Sequence, residues 1–222
     1  MMNNKKSTYN LNGKNYSHHE LLNISEDIVG NISTPGWEKE IFQFISEWLN
    51  YDDIIEVKTS GSTGTPKIIR FKKWQLIESA RRTGQFFNLK RFDKILLCLP
   101  ASSIAGKLMI VRSLILGLEL HYIKPQGNPL RNISTEFEFS EFTPHQVWRC
   151  IEEGSNFNLI KTLIIGGGKA SSELIDELQN ISTECYATYG MTETLTHIAL
   201  QKLNGHNKQD SFKVFPDIRI RT

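Results

Sequence analysis

The stretch IIEVKTSGSTGTPKIIRF, residues 54–71, places a loop of glycines and hydroxyl residues between two runs rich in β-branched side chains. The flanking runs, IIEVKT and KIIRF, have the composition of strands. Gly61 and Gly64 permit backbone conformations that residues with side chains rarely adopt, which suits a loop more than a strand. The stretch therefore predicts a hairpin-like pair of strands joined by a polar loop.

The loop itself has the composition of an anion-binding site. Backbone amides in a glycine-rich turn can face an anion, and neighbouring hydroxyl groups and a lysine add donors and positive charge. The residues in question are Thr59, Ser60, Gly61, Ser62, Thr63, Gly64 and Lys67. The Walker pattern is not met, because Gly61 and Gly64 are too close together and Pro66 precedes the lysine. The same composition also occurs in plain surface turns, so both interpretations remain open at this point.

Outside the loop, helical and strand patterns alternate along the chain. Thr34 is expected to cap a helix with Pro35 at its first position, and a second helix is expected to end at Gly117. Further strands are predicted at KILLCLP, KTLIIGGG, ECYATYG, LTHIALQ and FKVFPDIRIR, whereas residues 127–141 look polar and irregular. This alternation predicts an α/β fold of layered, mostly parallel sheets flanked by helices. We expect a helical segment over residues 1–53, packed on a main domain over residues 54–222.

Two more motifs follow predicted strands in the second half of the chain. LIIGGGKAS runs into glycines at residues 166–168, and TYGMTET contains Tyr189, Thr192 and Glu193. The carboxyl ends of parallel strands meet at one edge of a sheet, where ligands bind, so we expect both motifs to line one pocket. The glycines would let a flat ring approach the backbone, Tyr189 could stack on it, and Glu193 could hold Mg²⁺. Taken singly, the glycines also fit a turn and Glu193 a solvated carboxylate.

Composition narrows the classes of function. The net charge is +2, with 26 basic and 24 acidic residues in mixed order, which argues against a nucleic-acid partner. No segment reads as a signal peptide or a membrane span, and we expect a cytoplasmic protein with small-molecule substrates. Cys98, Cys150 and Cys185 are expected to be buried thiols, and His197 a core residue. No histidine or cysteine spacing predicts zinc.

Together, TSGSTGTPK, GGGKAS and TYGMTET resemble, in this order, the phosphate loop, the adenine-site glycines and the second nucleotide motif of the adenylate-forming superfamily. That superfamily includes acyl-CoA synthetases, adenylation domains of peptide synthetases and luciferases. The resemblance covers most of residues 54–222 and implies the large N-terminal domain of these enzymes. Within the superfamily, LLCLPASSIAGKLMIVRSLILGLEL resembles the corresponding strand and helix of the 2-succinylbenzoate–CoA ligases of menaquinone biosynthesis.

The resemblance implies an ATP-dependent acid–CoA ligase. A carboxylate would attack the α-phosphorus of ATP to give an acyl-adenylate and pyrophosphate, and the thiol of CoA would then displace AMP. Lys67, Thr192 and Glu193 would be catalytic, with Glu193 holding Mg²⁺, and Ser103 and Gly106 would border the acyl and CoA pocket. The loop described above would bind the phosphates of ATP. Adenine and the acyl group would lie against Gly166, Gly167, Gly168, Lys169, Ala170, Tyr189, Gly190, Met191 and Thr192.

Departures from the family pattern leave alternatives. Relatives usually have a histidine or an aromatic residue where Ser103 stands, which leaves the acid and the thioester step open. No segment before Thr222 matches the ribose-binding aspartate, the hinge or the small C-terminal domain, so we expect a large domain that is incomplete at its C-terminus. A domain that loads a carrier protein and a non-catalytic nucleotide-binding module are the two other functions considered. The oligomeric state is left open.

Overall fold

A computed structural model describes residues 8–58, 67–195, 197–216 and 218–219. The chain divides into two compact units, Met1–Pro125 and Gln126–Thr222. Within the described ranges, none of the helices combines the length and the apolar character that crossing a membrane would require.

The first unit combines a sheet, a separate two-stranded hairpin and four helices within its described residues. Its elements are β1 (Thr8–Leu11), β2 (Lys14–Ser17), α1 (His18–Gly30), α2 (Gly36–Leu49), β3 (Ile54–Lys58), β4 (Ile68–Lys72), α3 (Lys73–Phe86), β5 (Lys94–Leu97), α4 (Ile104–Leu116) and β6 (Glu119–Tyr122). Strands β5, β6 and β1 run parallel, and β2 pairs with β1 in the antiparallel direction. Because α4 connects two parallel strands, this part of the chain is a β–α–β unit, as its sequence pattern predicted.

The hairpin around the opening loop is confirmed. Strands β3 and β4 pair in the antiparallel direction, and Lys58 lies opposite Ile68 at the end next to the loop. Val57 and Phe71 are buried, whereas Ile54, Glu56 and Lys58 are exposed, so β3 buries alternate residues, as expected for a strand with one solvated face. Residues 59–66 lie outside the described residues.

The start of α2 differs from the prediction. Helix α2 begins at Gly36 with Pro35 as its N-cap, so the assignment of Thr34 as the N-cap was wrong. Pro35 has no side-chain donor or acceptor, and its carbonyl oxygen instead accepts hydrogen bonds from the amides of Glu38 and Lys39, each at 3.0 Å. The hairpin β1–β2 was also not predicted, since its short polar strands carry little of the hydrophobic alternation that marks a strand.

The second unit is a sheet with parallel strands followed by an antiparallel margin. Its elements are β7 (Phe137–Phe142), α5 (Pro144–Glu152), β8 (Ile160–Ile165), α6 (Ser172–Glu177), β9 (Glu184–Gly190), β10 (His197–Lys202) and β11 (Lys213–Val214). Strands β7, β8 and β9 are parallel, and β10 and β11 follow in the antiparallel direction. Thr143 caps α5 by accepting a hydrogen bond from the Gln146 amide at 3.2 Å, as predicted.

Strand β7 overturns the prediction of an irregular segment up to residue 141. Phe137, Phe139 and Phe142 are buried in a strand that pairs with β8 along its length. Glu138 and Glu141 interrupt this apolar run and made it look like a loop in the sequence. The α/β fold with parallel central strands is nevertheless confirmed, and Cys98, Cys150 and Cys185 are buried and form no disulfide, as expected.

Candidate functional site

The glycine motif and the TYGMTET motif lie side by side in the second unit. The two motifs begin in the last residues of β8 and β9, which are adjacent and parallel, with Ile165 opposite Ala187. Consequently residues 166–168 and residues 188–190 emerge at the same edge of the sheet. Such an edge, at the carboxyl ends of parallel strands, is where α/β sheets bind ligands.

Gly166 is the point of closest approach between the two motifs. A Cβ atom at this position would lie 2.7 Å from Thr188 Oγ1 and 3.4 Å from Glu141 Oε1, so no side chain fits there without a shift of its neighbours. The Thr188 hydroxyl donates to the carbonyl oxygen of Ile165 at 3.3 Å, and the Gly166 amide donates to the carbonyl oxygen of Phe142 at 3.0 Å. These contacts tie the ends of β7, β8 and β9 together.

The following residues expose backbone at this edge. Gly167 has φ of +76°, in the left-handed region that favours glycine, and a Cβ at Gly168 would have ordinary contact with Pro144. Gly167, Gly168 and Lys169 are exposed, whereas Ala170 is buried. A planar group could therefore approach the backbone of residues 167–168, while Ala170 is buried and its place at the adenine and acyl site stays a prediction.

The TYGMTET motif ends β9 in a tight turn. Met191 and Thr194 close it, because the Met191 amide donates to Thr194 Oγ1 at 2.9 Å and the Leu195 amide donates to the Thr192 carbonyl oxygen at 2.8 Å. The Glu193 carboxylate is exposed on this turn, which leaves its oxygens accessible to a cation. In the described part of the chain, no group of three or more acidic, histidine or cysteine side chains could hold a metal ion by itself.

Tyr189 presents an aromatic surface beside the glycines. Its side chain is 51% exposed, and its ring packs at 5.7 Å from the ring of Phe212. His197 lies on β10, opposite Gly190 of β9. It is buried, and the centre of its ring lies 5.7 Å from the centre of the Phe215 ring, as expected for a core histidine. Of the aromatic residues at this edge, Tyr189 is therefore placed to stack on a ligand.

Among the residues assigned to the phosphate site, the structure describes only Lys67. Thr59, Ser60, Gly61, Ser62, Thr63 and Gly64 lie outside the described residues. Lys67 is exposed and directly precedes β4. Its position at the end of the hairpin next to the loop agrees with a role at the loop.

Ser103 and Gly106 have clear structural roles at the turn between β5 and α4. Ser103 is the N-cap of α4, where its hydroxyl accepts from the Gly106 amide at 3.1 Å and donates to the Pro100 carbonyl oxygen at 2.7 Å. A Cβ at Gly106 would lie 2.1 Å from the same Pro100 oxygen. Backbone packing therefore accounts for both residues without a ligand, and their place in an acyl or CoA pocket stays a prediction.

Two cations on α4, Lys107 and Arg112, received no functional assignment from the sequence. Arg112 is 1% exposed, and its Nη1 lies 3.3 Å from Met109 Sδ. Lys107 is partly buried, with its amine 4.2 Å from the centre of the Phe44 ring. The apolar composition around both residues in the sequence gave no sign of a polar role.

Known proteins with a related sequence or structure fit this arrangement. The family model described as AMP-binding enzyme matches residues 44–221. The 2-succinylbenzoate–CoA ligase of Escherichia coli is 26% identical over 147 residues, which cover 66% of this chain and 32% of that protein. The ligase of the same description from Oceanobacillus iheyensis is 27% identical over 209 residues, covering 86% of this chain and 40% of that protein.

Solved structures with a similar fold include further acyl-CoA synthetases. An acyl-CoA synthetase (AMP-forming)/AMP-acid ligase II-like protein from Dyadobacter fermentans is 29% identical, with a TM-score of 0.78, over 87% of this chain and 56% of that one. An o-succinylbenzoate coenzyme A synthetase from Bacillus subtilis, in complex with ATP and magnesium ion, is 25% identical, with a TM-score of 0.61, over 67% of this chain and 32% of that one.

This chain belongs to the family of AMP-binding enzymes, since the family model covers most of its length. The particular relatives that it matches are acid–CoA ligases. The chain spans between 32% and 44% of the length of the 2-succinylbenzoate–CoA ligases from Escherichia coli and Bacillus subtilis.

Proposed function

We propose that this chain provides the ATP-binding part of an adenylate-forming acid–CoA ligase, with 2-succinylbenzoate as the acid. The carboxylate of the acid attacks the α-phosphorus of ATP, an acyl-adenylate forms, and pyrophosphate leaves. In the second step the thiol of CoA attacks the acyl carbonyl carbon, and AMP leaves. The choice of 2-succinylbenzoate as the acid and of CoA as the thiol is supported by the similarity to the 2-succinylbenzoate–CoA ligases named above.

The observation that carries this proposal is the meeting of two nucleotide motifs at one edge of a sheet. The register of Ile165 with Ala187 brings Gly167 and Gly168 beside Tyr189. Exposed backbone next to an exposed aromatic ring forms a surface for a planar base, to which Lys169, Gly190 and Met191 would contribute their edges. A purine bound there would leave its phosphates to groups outside this edge.

Charged and hydroxyl groups would act on the phosphates. Lys67 would offset the negative charge of ATP together with Thr59, Ser60, Gly61, Ser62, Thr63 and Gly64, and Thr192 would donate to a phosphate oxygen. The exposed Glu193 carboxylate fits a Mg²⁺ ion that is shared with the phosphates, since Mg²⁺ in such sites usually takes only one or two protein carboxylates. Mg²⁺ would supply electrostatic stabilisation of charge at the reacting phosphorus.

Acid-dependent exchange of labelled pyrophosphate into ATP tests the first step. We expect exchange with 2-succinylbenzoate in the presence of Mg²⁺. Replacing one charged group that acts on the transition state typically costs about 100-fold or more in rate, so Glu193→Gln and Lys67→Ala should lose at least that much. Glu177→Gln and Lys124→Ala remove charge from exposed residues away from the motifs and should retain the exchange.

The outcomes separate this proposal from the two alternatives. A folded chain that binds no Mg·ATP would contradict the proposal, and one that binds Mg·ATP but shows no exchange with any acid would act by itself only as a nucleotide-binding module. Exchange followed by transfer of the acyl group to a carrier protein, and not to CoA, would identify a carrier-loading domain. Formation of 2-succinylbenzoyl-CoA would establish the ligase.

A further inference from the structure

A cleft in the first unit contains a lysine that the proposed reaction does not use. The cleft has a volume of about 430 Å³ and lies between α2, the exposed face of β3 and the residues that follow β5. The cleft is lined by Phe44 of α2, by Ser102 in the turn after β5 and by Lys107 of α4. Acidic side chains of α2 and β3 also line it. Since Ser102 follows β5, the cleft adjoins the carboxyl end of a parallel strand, which is a favoured place for ligands.

The amine of Lys107 lies over an aromatic ring inside this cleft. Its Nζ is 4.2 Å from the centre of the Phe44 ring. Among the described residues, the amine makes neither a hydrogen bond nor a salt bridge. By contrast, Lys73 of α3 donates to Asn50 Oδ1 and to the Asn50 carbonyl oxygen, both at 2.9 Å. The nitrogen of Lys107 is therefore held in the cleft by packing.

Burial keeps the pKa of Lys107 below its ordinary value, because a charged amine loses hydration there, while the charges of Glu47 and Glu40 oppose the change. Asp52, Glu56 and Lys58 are the other charged residues that line the cleft. A lysine with a lowered pKa has a larger fraction of neutral amine near neutral pH than an exposed lysine. Neutral amine is the nucleophilic form.

The charge of the cleft bears on whether the Lys107 amine binds a phosphate-bearing ligand or reacts as a nucleophile. The carboxylates of Glu40, Glu47, Asp52 and Glu56 and the amines of Lys58 and Lys107 line the cleft, and the Arg70 guanidinium pairs with Glu56 at 2.8 Å. The remaining negative charge opposes a ligand with several phosphate groups more than it opposes an acyl donor with one phosphate or none. It favours a role in which the amine reacts and a neighbouring carboxylate or water accepts the proton.

We propose that Lys107 is a site of acylation by activated acyl groups, that is, by acyl-adenylates or acyl thioesters. The nitrogen lone pair attacks the carbonyl carbon, and a C–N bond forms as the bond from that carbon to the AMP oxygen or to the thiol sulfur breaks. AMP or the thiol leaves, and the nitrogen loses a proton to water or to Glu40 or Glu47. The product is an amide, which removes the positive charge above the Phe44 ring.

In the cell, the acyl donor would come from the proposed ligase reaction, so this part of the inference rests on the proposed function. The reactivity of Lys107 does not depend on it. The test uses the whole chain with two synthetic donors, acetyl-adenylate and the uncharged thioester S-acetyl-N-acetylcysteamine. Peptide mass spectrometry at low donor concentration then gives the acetylated fraction of each lysine. The matched controls are Lys58, which is exposed in the same cleft, and the exposed Lys124.

We expect Lys107 to be acetylated severalfold faster than Lys58 and Lys124 with both donors, and its rate to rise at lower pH than theirs. In Lys107→Arg the label at this position is lost while Lys58 reacts as before. Equal or slower labelling of Lys107, or a rate that rises only at the pH of the exposed lysines, would refute the proposal. Because the donors are supplied, a chain inactive in pyrophosphate exchange can still show the labelling, so the two proposals fail separately.

Discussion

At the scale of single residues, Gly106 shows that a family motif can be explained by packing. The resemblance places this glycine in an acyl or CoA pocket, whereas in the structure the direction of its missing side chain points at the Pro100 carbonyl oxygen. Ser103 uses its hydroxyl on the same oxygen. The turn between β5 and α4 therefore requires both residue types whether or not a ligand is near.

The Gly106→Ala variant should lose stability. Its Cβ would lie 2.1 Å from the Pro100 oxygen, so the turn would have to move, and overpacking of this kind costs about 1–3 kcal/mol. Urea denaturation followed by circular dichroism measures the change. Gly36→Ala is the control, because a Cβ at Gly36 would meet no atom within 4 Å. Equal midpoints for the two variants would show that the turn adapts freely.

At the scale of elements, α4 is defined by residues at both of its ends. Ser103 caps the first turn, and Gly117 ends the helix in the left-handed conformation with φ of 69°. The amide of Leu118 donates to the Ser113 carbonyl oxygen at 3.0 Å, so the backbone turns sharply towards β6. This geometry allows the buried helix to lead directly into a parallel strand.

The Gly117→Ala variant tests that ending. A side chain in the left-handed region costs about 1–2 kcal/mol, and the new Cβ would also lie 3.1 Å from Arg91 Cγ. Gly117→Asn introduces the same Cβ, but asparagine tolerates this conformation better. We expect thermal unfolding to place alanine below asparagine and both below the parent. Alanine and asparagine variants of equal stability would mean that contact with Arg91, and not backbone conformation, sets the cost.

At the scale of the whole molecule, the buried amide side chain of Asn204 connects three segments of the second unit. Asn204 accepts from the Cys185 amide at 2.9 Å and donates to the carbonyl oxygens of Thr183 at 2.8 Å and Leu178 at 3.0 Å. It thereby joins the segment after β10 to the start of β9 and to the residues after α6. The strand that carries the TYGMTET motif depends on this connection at its beginning.

Replacing Asn204 by alanine should weaken the second unit selectively. The variant removes the acceptor of the Cys185 amide, and a buried unsatisfied group costs about 1–3 kcal/mol, whereas the Thr183 and Leu178 carbonyl oxygens lose one donor but keep the Cys185 thiol and the Ile181 amide. Hydrogen exchange should show faster exchange in β9 and β10, while β5 and β6 of the first unit keep their protection. Asn207→Ala, at an exposed position, serves as the control. Faster exchange spread evenly over both units would contradict a local role for Asn204.

The sequence by itself determined the features that depend on neighbouring residues. The C-terminal end of α4 follows from Gly117, the hairpin from the strand runs on either side of residues 59–66, and the order of the three motifs indicated the family. Capping and turn formation are local, so short stretches of sequence carry them. In contrast, the N-cap of α2 could not be predicted from the neighbouring residues. Thr34 as the N-cap with Pro35 at the first helical position is as consistent with the sequence as the observed N-cap at Pro35.

Only the tertiary structure decided which residues meet across the chain. The register of β8 with β9 places Gly166 against Thr188, and pairing with β8 makes a strand of residues 137–142 despite their two glutamates. The packing of α4 against α2 brings Lys107 over Phe44. These contacts join residues distant in sequence, and their free energy comes from burial that exists only once the chain has folded.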